Sequence, residues 1–324
     1  NDHIFKRMHK IGINKELCFP YMTGIMDNLF NQTNPLTGPF SRNDLDIIKA
    51  HKKCLKNKDN VEMTRRLTGK TVIVTGGGSG IGKGACLRLA EEGANVVVAD
   101  IRAPLAEQVA GQIASAGGSA LAIECNVSRE ADVALMVTRS VAEFGGLWGM
   151  VANAGTAGRG WIHETTLEDW QFVLGVNLTG PFLCAKYALP VMMQAGGGSF
   201  VVTSSIAGSV VGAGGAAASY TVSKHGVIGL AKQIAVDYGS YGIRANAIQP
   251  GGVTDSKLAV HARQDREHAT TPQATLPRGK PWLALPRQGK SKDEYGATIA
   301  FLMSDDAGFI TGTSIPVDGG YLAS

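Results

Sequence analysis

The stretch from Thr71 to Gly82, TVIVTGGGSGIG, constrains this chain more than any other. Val72 to Val74 is an apolar β-branched run of the kind that forms a buried strand. Glycines follow at Gly76, Gly80 and Gly82, and a helical pattern through Leu87, Leu89 and Ala90 runs on to Gly93. Strand, glycine turn and helix together make a phosphate-binding unit. The glycines let the backbone turn tightly and approach a pyrophosphate, and the helix N-terminus supplies free N–H groups and a positive dipole end. A second β-branched run, Asn95 to Ala99, ends in Asp100, about 20 residues beyond the loop, where a ribose-binding acid belongs. A glycine turn without a ligand is the bland alternative, and the ordered series of elements argues against it.

From Thr71 onward strand and helix patterns alternate. Strands are expected over 71–75, 95–100, 120–124, 149–152, 199–203, 244–248 and 313–317. Helices are expected over 104–116, 129–144, 167–194, 219–238 and 292–303. Such alternation implies an α/β fold, a Rossmann-type doubly wound parallel sheet with helices on both faces, in a single domain. Residues 254–289 carry Pro272, Pro277, Pro281 and Pro286 between polar residues and read as a substrate loop over the carboxyl ends of the strands.

Residues 1–62 are different in kind, rich in Asn and Lys with Ala50 as their single alanine, so a boundary is expected near Met63. A targeting sequence, an RNA- or membrane-surface arm and a subunit contact are open readings of this N-terminal extension. An accessory segment outside the chemistry is favoured, since a transit peptide is poorer in acids and richer in arginine. The net charge of +4 belongs to this end. Residues 1–66 hold twelve Lys/Arg against seven Asp/Glu, and the remainder nineteen against twenty. The near-neutral 63–324 domain therefore argues against nucleic acid as a partner. No uninterrupted apolar run reaches bilayer length, so no membrane partner is expected. The five cysteines, Cys18, Cys54, Cys86, Cys125 and Cys184, form no close pair and read as reduced thiols of a cytoplasmic protein. The seven histidines show no metal-ligand spacing.

Tyr220 and Lys224 lie four apart in the 219–238 helix and share one face. An ammonium beside a phenol favours the phenolate and is expected to lower its pKa from about 10, which suits proton exchange with an alcohol or a carbonyl. Alone, the pair reads equally as a surface feature. In company it does not. The chain from residue 67 to 324 resembles the classical short-chain dehydrogenases/reductases, through Thr75-GGGSGIG-Gly82, Asn153-Ala154-Gly155, Asn177, Ser204-Ser205, Tyr220-xxx-Lys224, Pro250-Gly251 and Val317-Asp318-Gly319-Gly320 in that order.

The resemblance implies an NAD-dependent oxidoreductase, usually a homotetramer, that interconverts a small-molecule secondary alcohol and a ketone. It assigns Tyr220 as acid/base, Lys224 to the nicotinamide ribose and the phenol, Ser205 to the substrate oxygen, and Asn177 to a water in a proton relay. Cofactor contacts carry over to Gly76, Ser79, Gly80, Ile81 and Gly82 at the phosphates. Asp100 and Ile101 fall at the adenosine ribose, and Asn126 and Val127 beside the adenine. Asn153, Ala154 and Gly155 end the fourth strand, and Pro250, Gly251, Val253 and Thr254 border the nicotinamide. The sequence departs from the family pattern in four places. The segment from Ser205 to Tyr220 is about two residues longer than the family's usual spacing, which leaves Ser204 as a substitute for Ser205. Asn126 stands in place of an acid and Ala152 in place of an asparagine, and Asp255 takes the usual threonine position, one residue after Thr254. Asp100, with Ser79 where phosphate-selecting relatives carry a base, favours NAD, and Arg102 is the one contrary feature. Trp161 and Trp282 are candidate pocket residues. Arg159, Arg263, Arg266, Arg278 and Lys280 read as solvated, and His225 is given no role. A catalytically idle nucleotide-binding module on the same fold is the competing class.

Overall fold

The computed structural model describes residues 67–158, 160–211, 217–254 and 284–323. The expected boundary near Met63 and residues 255–283 of the 254–289 loop, with Asp255, Trp282, Arg263, Arg266, Arg278 and Lys280, lie outside them, as do Arg159, Cys18 and Cys54. Seven strands form one parallel sheet: β1 Thr71–Thr75, β2 Asn95–Asp100, β3 Ser119–Glu124, β4 Gly149–Ala152, β5 Gly198–Thr203, β6 Ile243–Pro250 and β7 Ser314–Val317. Their order is β3-β2-β1-β4-β5-β6-β7. The helices are α1 Gly80–Glu91, α2 Ala103–Ser115, α3 Glu130–Phe144, α4 Leu167–Leu174, α5 Gly180–Gln194, α6 Ala218–Tyr238 and α7 Ala297–Met303.

The strands are apolar along their length because helices cover both faces. Side chains alternate, so neighbouring residues serve opposite cores. Ile73, Met150, Phe200 and Val202 pack with α3, α5 and α6 through Met136, Leu189, Met192 and Val227. Val72, Val74, Val151 and Val201 pack with α1, α2 and α7 through Leu89, Val109, Ile113 and Ile299. Chain order reverses between β1 and β4, which pair Val72 with Gly149 and Val74 with Val151. Connections from these two strands leave in opposite directions and open a crevice at their carboxyl ends.

Besides the expected 292–303 helix, which opens as a π-helical turn over Ser291–Gly296 before α7, two elements differ from expectation. Residues 167–194 form a 28-residue helix that is, by length and mean hydropathy of 1.3, long and apolar enough to cross a membrane. It is not an uninterrupted apolar run, since Glu168, Asp169, Asn177, Thr179 and Lys186 fall within it. Half of its apolar window is buried inside the fold, and the helix serves as a core helix against β4 and β5. It is also not α-helical throughout. Gly175–Thr179 forms a π-helical turn in which the Gly180 N–H donates to the Gly175 carbonyl. Pro181 follows and has no N–H for the Asn177 carbonyl four residues back, so the α-helical ladder breaks there. The second difference is β6, which runs through Gln249 and Pro250 because these pair with Pro316 and Val317 of β7.

Candidate active site

The crevice holds a cleft of about 590 Å³ whose walls come from all the carboxyl-end loops of β1 to β6. Its phosphate end is the β1–α1 loop. A Cβ on Gly82 would strike the Gly76 carbonyl and the Asn153 amide, and one on Gly76 would lie 2.9 Å from the Ala154 Cα, so the loop admits no side chains there. Gly76 and Gly80 have φ of +65° and +49°, which only glycine adopts freely. No side chain caps α1 and no acid sits in its first turn. Its N-terminal N–H groups and positive dipole end are therefore left for an anion, and Gly80 and Ile81 face the cleft.

At the adenosine end Asp100 is 4% exposed. Its Oδ2 accepts from the Gly78 N–H at 3.0 Å, and its Oδ1 from the Arg102 N–H at 3.0 Å and Nε at 3.3 Å. The Arg102 guanidinium also donates to the Ser79 Oγ at 3.2 Å. Arg102 thus closes on the carboxylate and links the glycine loop to the end of β2. Asn126 also lines the cleft. Its Oδ1 accepts from both the N–H and Oγ of Ser128, at 3.1 and 2.7 Å, which leaves its Nδ2 as the group to offer.

Thr75 and Asn153 join three strand ends. The Thr75 Oγ1 accepts from the N–H groups of Asn153 and Ala154 at 3.0 and 3.1 Å. The Asn153 Nδ2 donates to the Thr75 carbonyl at 2.9 Å, and the Thr203 Oγ1 donates to the Asn153 Oδ1 at 3.1 Å. Neither threonine had been given a role. A β-branched hydroxyl closing a strand at the crevice, before Gly76 and before Ser204, is the signal that marks them.

At the chemical end the two serines separate. The Ser204 Oγ donates to the Lys224 carbonyl at 2.7 Å and is committed to α6. Ser205 caps the short 3₁₀ turn Ile206–Gly208, accepting from the Ala207 N–H at 3.1 Å, and its hydroxyl reaches Tyr220. Ser205 is therefore the serine that meets the phenol. Lys224 is buried, with its Nζ 2.7 Å from the Thr203 carbonyl and 5.6 Å from the centre of the Tyr220 ring. Burial lowers its pKa to about 8.

Tyr220 does not follow the expectation of a depressed pKa. Burial pushes the phenol up, and its bond with Ser205 works in the opposite direction. The reason is distance and direction. The ammonium is turned to a carbonyl, so desolvation of the phenolate dominates.

Asn177 is 1% exposed and sits in the π turn. Its Oδ1 accepts from the Thr156 N–H at 2.8 Å, while its Nδ2 donates to the Thr156 carbonyl at 2.9 Å and the Ser223 Oγ at 3.2 Å. The side chain ties the loop after β4 to α6. Gly82, Asn177 and Thr254 stand off the cleft wall, and the other expected site residues line it. Thr254 is exposed and its N–H donates to the Gly289 carbonyl at 2.9 Å. Trp161 is not part of the wall, whereas Phe172 and Val176 are. The His225 ring bonds to the Thr221 carbonyl at 2.9 Å, away from the chemistry. Cys86, Cys125 and Cys184 are free and buried.

Residues 75–322 match the family model described as enoyl-(acyl carrier protein) reductase. The chain is 39% identical over 262 residues to 2,5-dichloro-2,5-cyclohexadiene-1,4-diol dehydrogenase of Sphingobium indicum, covering 79% of this chain and 98% of that protein. It is 36% identical over 260 residues to cyclohexanol dehydrogenase of Acinetobacter sp., covering 80% and 97%. Among solved structures, a short-chain type dehydrogenase/reductase from Mycobacterium marinum superposes with a TM-score of 0.73 at 31% identity, covering 81% of this chain and 98% of that one. With the order of motifs along a seven-stranded parallel sheet, these matches establish that the chain belongs to the short-chain dehydrogenase/reductase family of oxidoreductases, enzymes of CH–OH groups.

Proposed function

We propose that this enzyme interconverts a secondary alcohol borne on an apolar ring and the corresponding ketone, with NAD(H) as its cofactor. The observation that carries the reading is the meeting of Tyr220, Ser205 and Lys224 at one end of a cleft whose other end is closed by the buried carboxylate of Asp100. The glycine loop and the uncapped start of α1 suit a pyrophosphate between them. Bound nicotinamide supplies the hydride acceptor and donor. The protein's own part is to orient the substrate oxygen and move its proton.

Ser205 donates a hydrogen bond to the substrate oxygen. Tyr220, as the phenolate, accepts the proton of the alcohol, and as the phenol returns it to the ketone. Lys224 presents its ammonium between Gly155 and the phenol, where a ribose hydroxyl can share it. Because burial raises the phenol pKa, alcohol oxidation should quicken as the pH rises, while ketone reduction should favour the lower side. Phe172 and Val176 give the cleft an apolar flank, and both relatives named above act on ring alcohols.

The deciding experiment follows NADH and NADPH formation with ring and open-chain secondary alcohols. Turnover with ring alcohols and NAD supports the reading, and no turnover with any alcohol leaves the idle nucleotide-binding module. Tyr220→Phe should lower kcat by about 10³-fold or more while leaving NADH affinity within a few fold, because only the proton-carrying oxygen is removed. Near-normal turnover would show that the acid/base is another group. A cytoplasmic homotetramer completes the proposal, supported by the reduced buried thiols and by family resemblance. Light scattering giving a mass other than four chains would overturn the oligomeric part.

A further inference from the structure

The Ser205 hydroxyl can serve Tyr220 only if the turn that carries it is held in place. That turn is short, closed by the Gly208 N–H on the Ser205 carbonyl at 2.8 Å. A second donor reaches the same carbonyl from β6. The Gln249 Nε2 lies 3.2 Å from the Ser205 carbonyl and 2.5 Å from the Ser209 Oγ. One amide therefore brackets the 3₁₀ turn at both ends. Gln249 is 2% exposed and its strand is paired on both sides, to β5 and to β7. It has little freedom to move, and it stands one residue before Pro250-Gly251 on the cleft wall.

A buried amide in a central strand is costly unless its groups find partners, and here both partners of the Nε2 belong to the turn that carries Ser205. The cleft itself gives Gln249 no contact, since it is not among the wall residues. We propose that Gln249 is a positioning residue that holds the Ser205 turn against Tyr220 and so sets the pH at which the site works. This rests on the acid/base reading above. The Ser205 hydroxyl is the group that offsets the effect of burial on the phenol. A turn released by Gln249 lets that hydroxyl drift, and the phenolate then forms only at higher pH.

Gln249→Met keeps the length of the side chain and removes its donor. The test is the pH dependence of kcat for alcohol oxidation at saturating cofactor, with NADH binding measured alongside. The rising limb should move up by about one pH unit, with kcat about tenfold lower along the limb and recovered only on the plateau above it, and with NADH affinity unchanged. Ser205→Ala should move the limb in the same direction. A limb left in place, or a loss of kcat equal at every pH, overturns the proposal. Tyr220→Phe keeps the two failures apart. If it retains turnover, the acid/base reading falls and this inference with it. If it is inactive and Ser205→Ala shifts the limb while Gln249→Met does not, only the role of Gln249 falls. Should Gln249→Met fail to fold, Ser209→Ala removes one of the two anchors from the turn. An upward shift smaller than that of Ser205→Ala supports the clamp, and an unmoved limb overturns it.

Discussion

Lys224 shows how one buried charge enters both stability and chemistry. Its folded pKa of about 8 lies below the ordinary lysine value. Between pH 8 and about 10.5 the unfolded chain binds more protons at this group than the native one, so its contribution to stability rises with pH through that window. Below pH 8 the full cost of the buried ammonium is present. Lys224→Met should therefore have its largest advantage over the parent protein at pH 7. Denaturant titrations should show that advantage shrinking by on the order of 3 kcal/mol toward pH 10.5. The buried thiols, raised by desolvation, act oppositely above pH 9, but parent and variant share them and the difference cancels their effect. An advantage independent of pH would mean that the lysine keeps its ordinary pKa in the fold. Asp100 governs cofactor choice at the same scale. A 2′-phosphate beside it would meet like charge and leave the carboxylate without a ribose hydroxyl. Losing such a charge-assisted bond costs on the order of 1.5–3 kcal/mol, or roughly ten- to hundred-fold in affinity. Asp100→Ala also frees Arg102, whose Nε it binds. The variant should bind NAD more weakly and narrow the gap to NADP in kcat/KM. Equal kcat/KM for the two cofactors in the unmutated enzyme would sink the assignment.

At the scale of elements, α1 carries the phosphate end of the cleft and owes its place to close backbone packing. A Cβ on Gly84 would fall within the backbone of Ser291 and Lys292, in the π-helical turn Ser291–Gly296 that precedes α7. Gly111 in α2 has nothing within 4 Å of a built Cβ. The two glycines therefore separate helix propensity from packing. Gly111→Ala should stabilise the protein by about 0.5–1 kcal/mol. Gly84→Ala gains the same propensity and forces backbone apart, so it should destabilise by about 1–2 kcal/mol net. Chemical denaturation of both variants measures the contrast, and a stabilised Gly84→Ala would mean that α1 is free to shift. The periodicity of the sequence placed the strands and most helices within a residue or two, but ran α7 together with the π turn before it. It read 167–194 as one helix because a π turn preserves the apolar pattern. Only the missing N–H of Pro181 beside Gly180 hinted at the break. It also stopped β6 short, since a proline ordinarily ends a strand. Pro250 is tolerated because the pairing with β7 asks nothing of its absent N–H, and the Gly251 N–H supplies the next bond, to the Val317 carbonyl at 3.1 Å.

For the molecule as a whole, the relatives are matched over nearly their full length by about four-fifths of this chain. The family match begins at residue 75, after the composition break near Met63. A chain beginning at Met63 should therefore fold and keep kcat within about twofold and Tm within a few degrees of the full chain. Turnover and thermal unfolding of the truncated enzyme test this, and an inactive or insoluble product would assign residues 1–62 to the core or to a subunit contact.

The sequence by itself determined the sheet, the helices on its two faces and the glycine loop at the phosphate end of the cleft. Those depend on local periodicity and on glycines whose backbone geometry no other residue adopts. Family resemblance named Ser205 and kept Ser204 as a substitute; adjacent residues at a strand end point in opposite directions, and only the packing of α6 decides which hydroxyl meets its carbonyl and which meets the phenol. The sequence placed Lys224 beside Tyr220 by helical spacing, yet the direction of the phenol's pKa depends on burial and on the Thr203 carbonyl that holds the ammonium. Spacing along a chain fixes which groups share a face. Desolvation and hydrogen-bond partners arise only when distant segments close over them, and here they decided the electrostatics of the site.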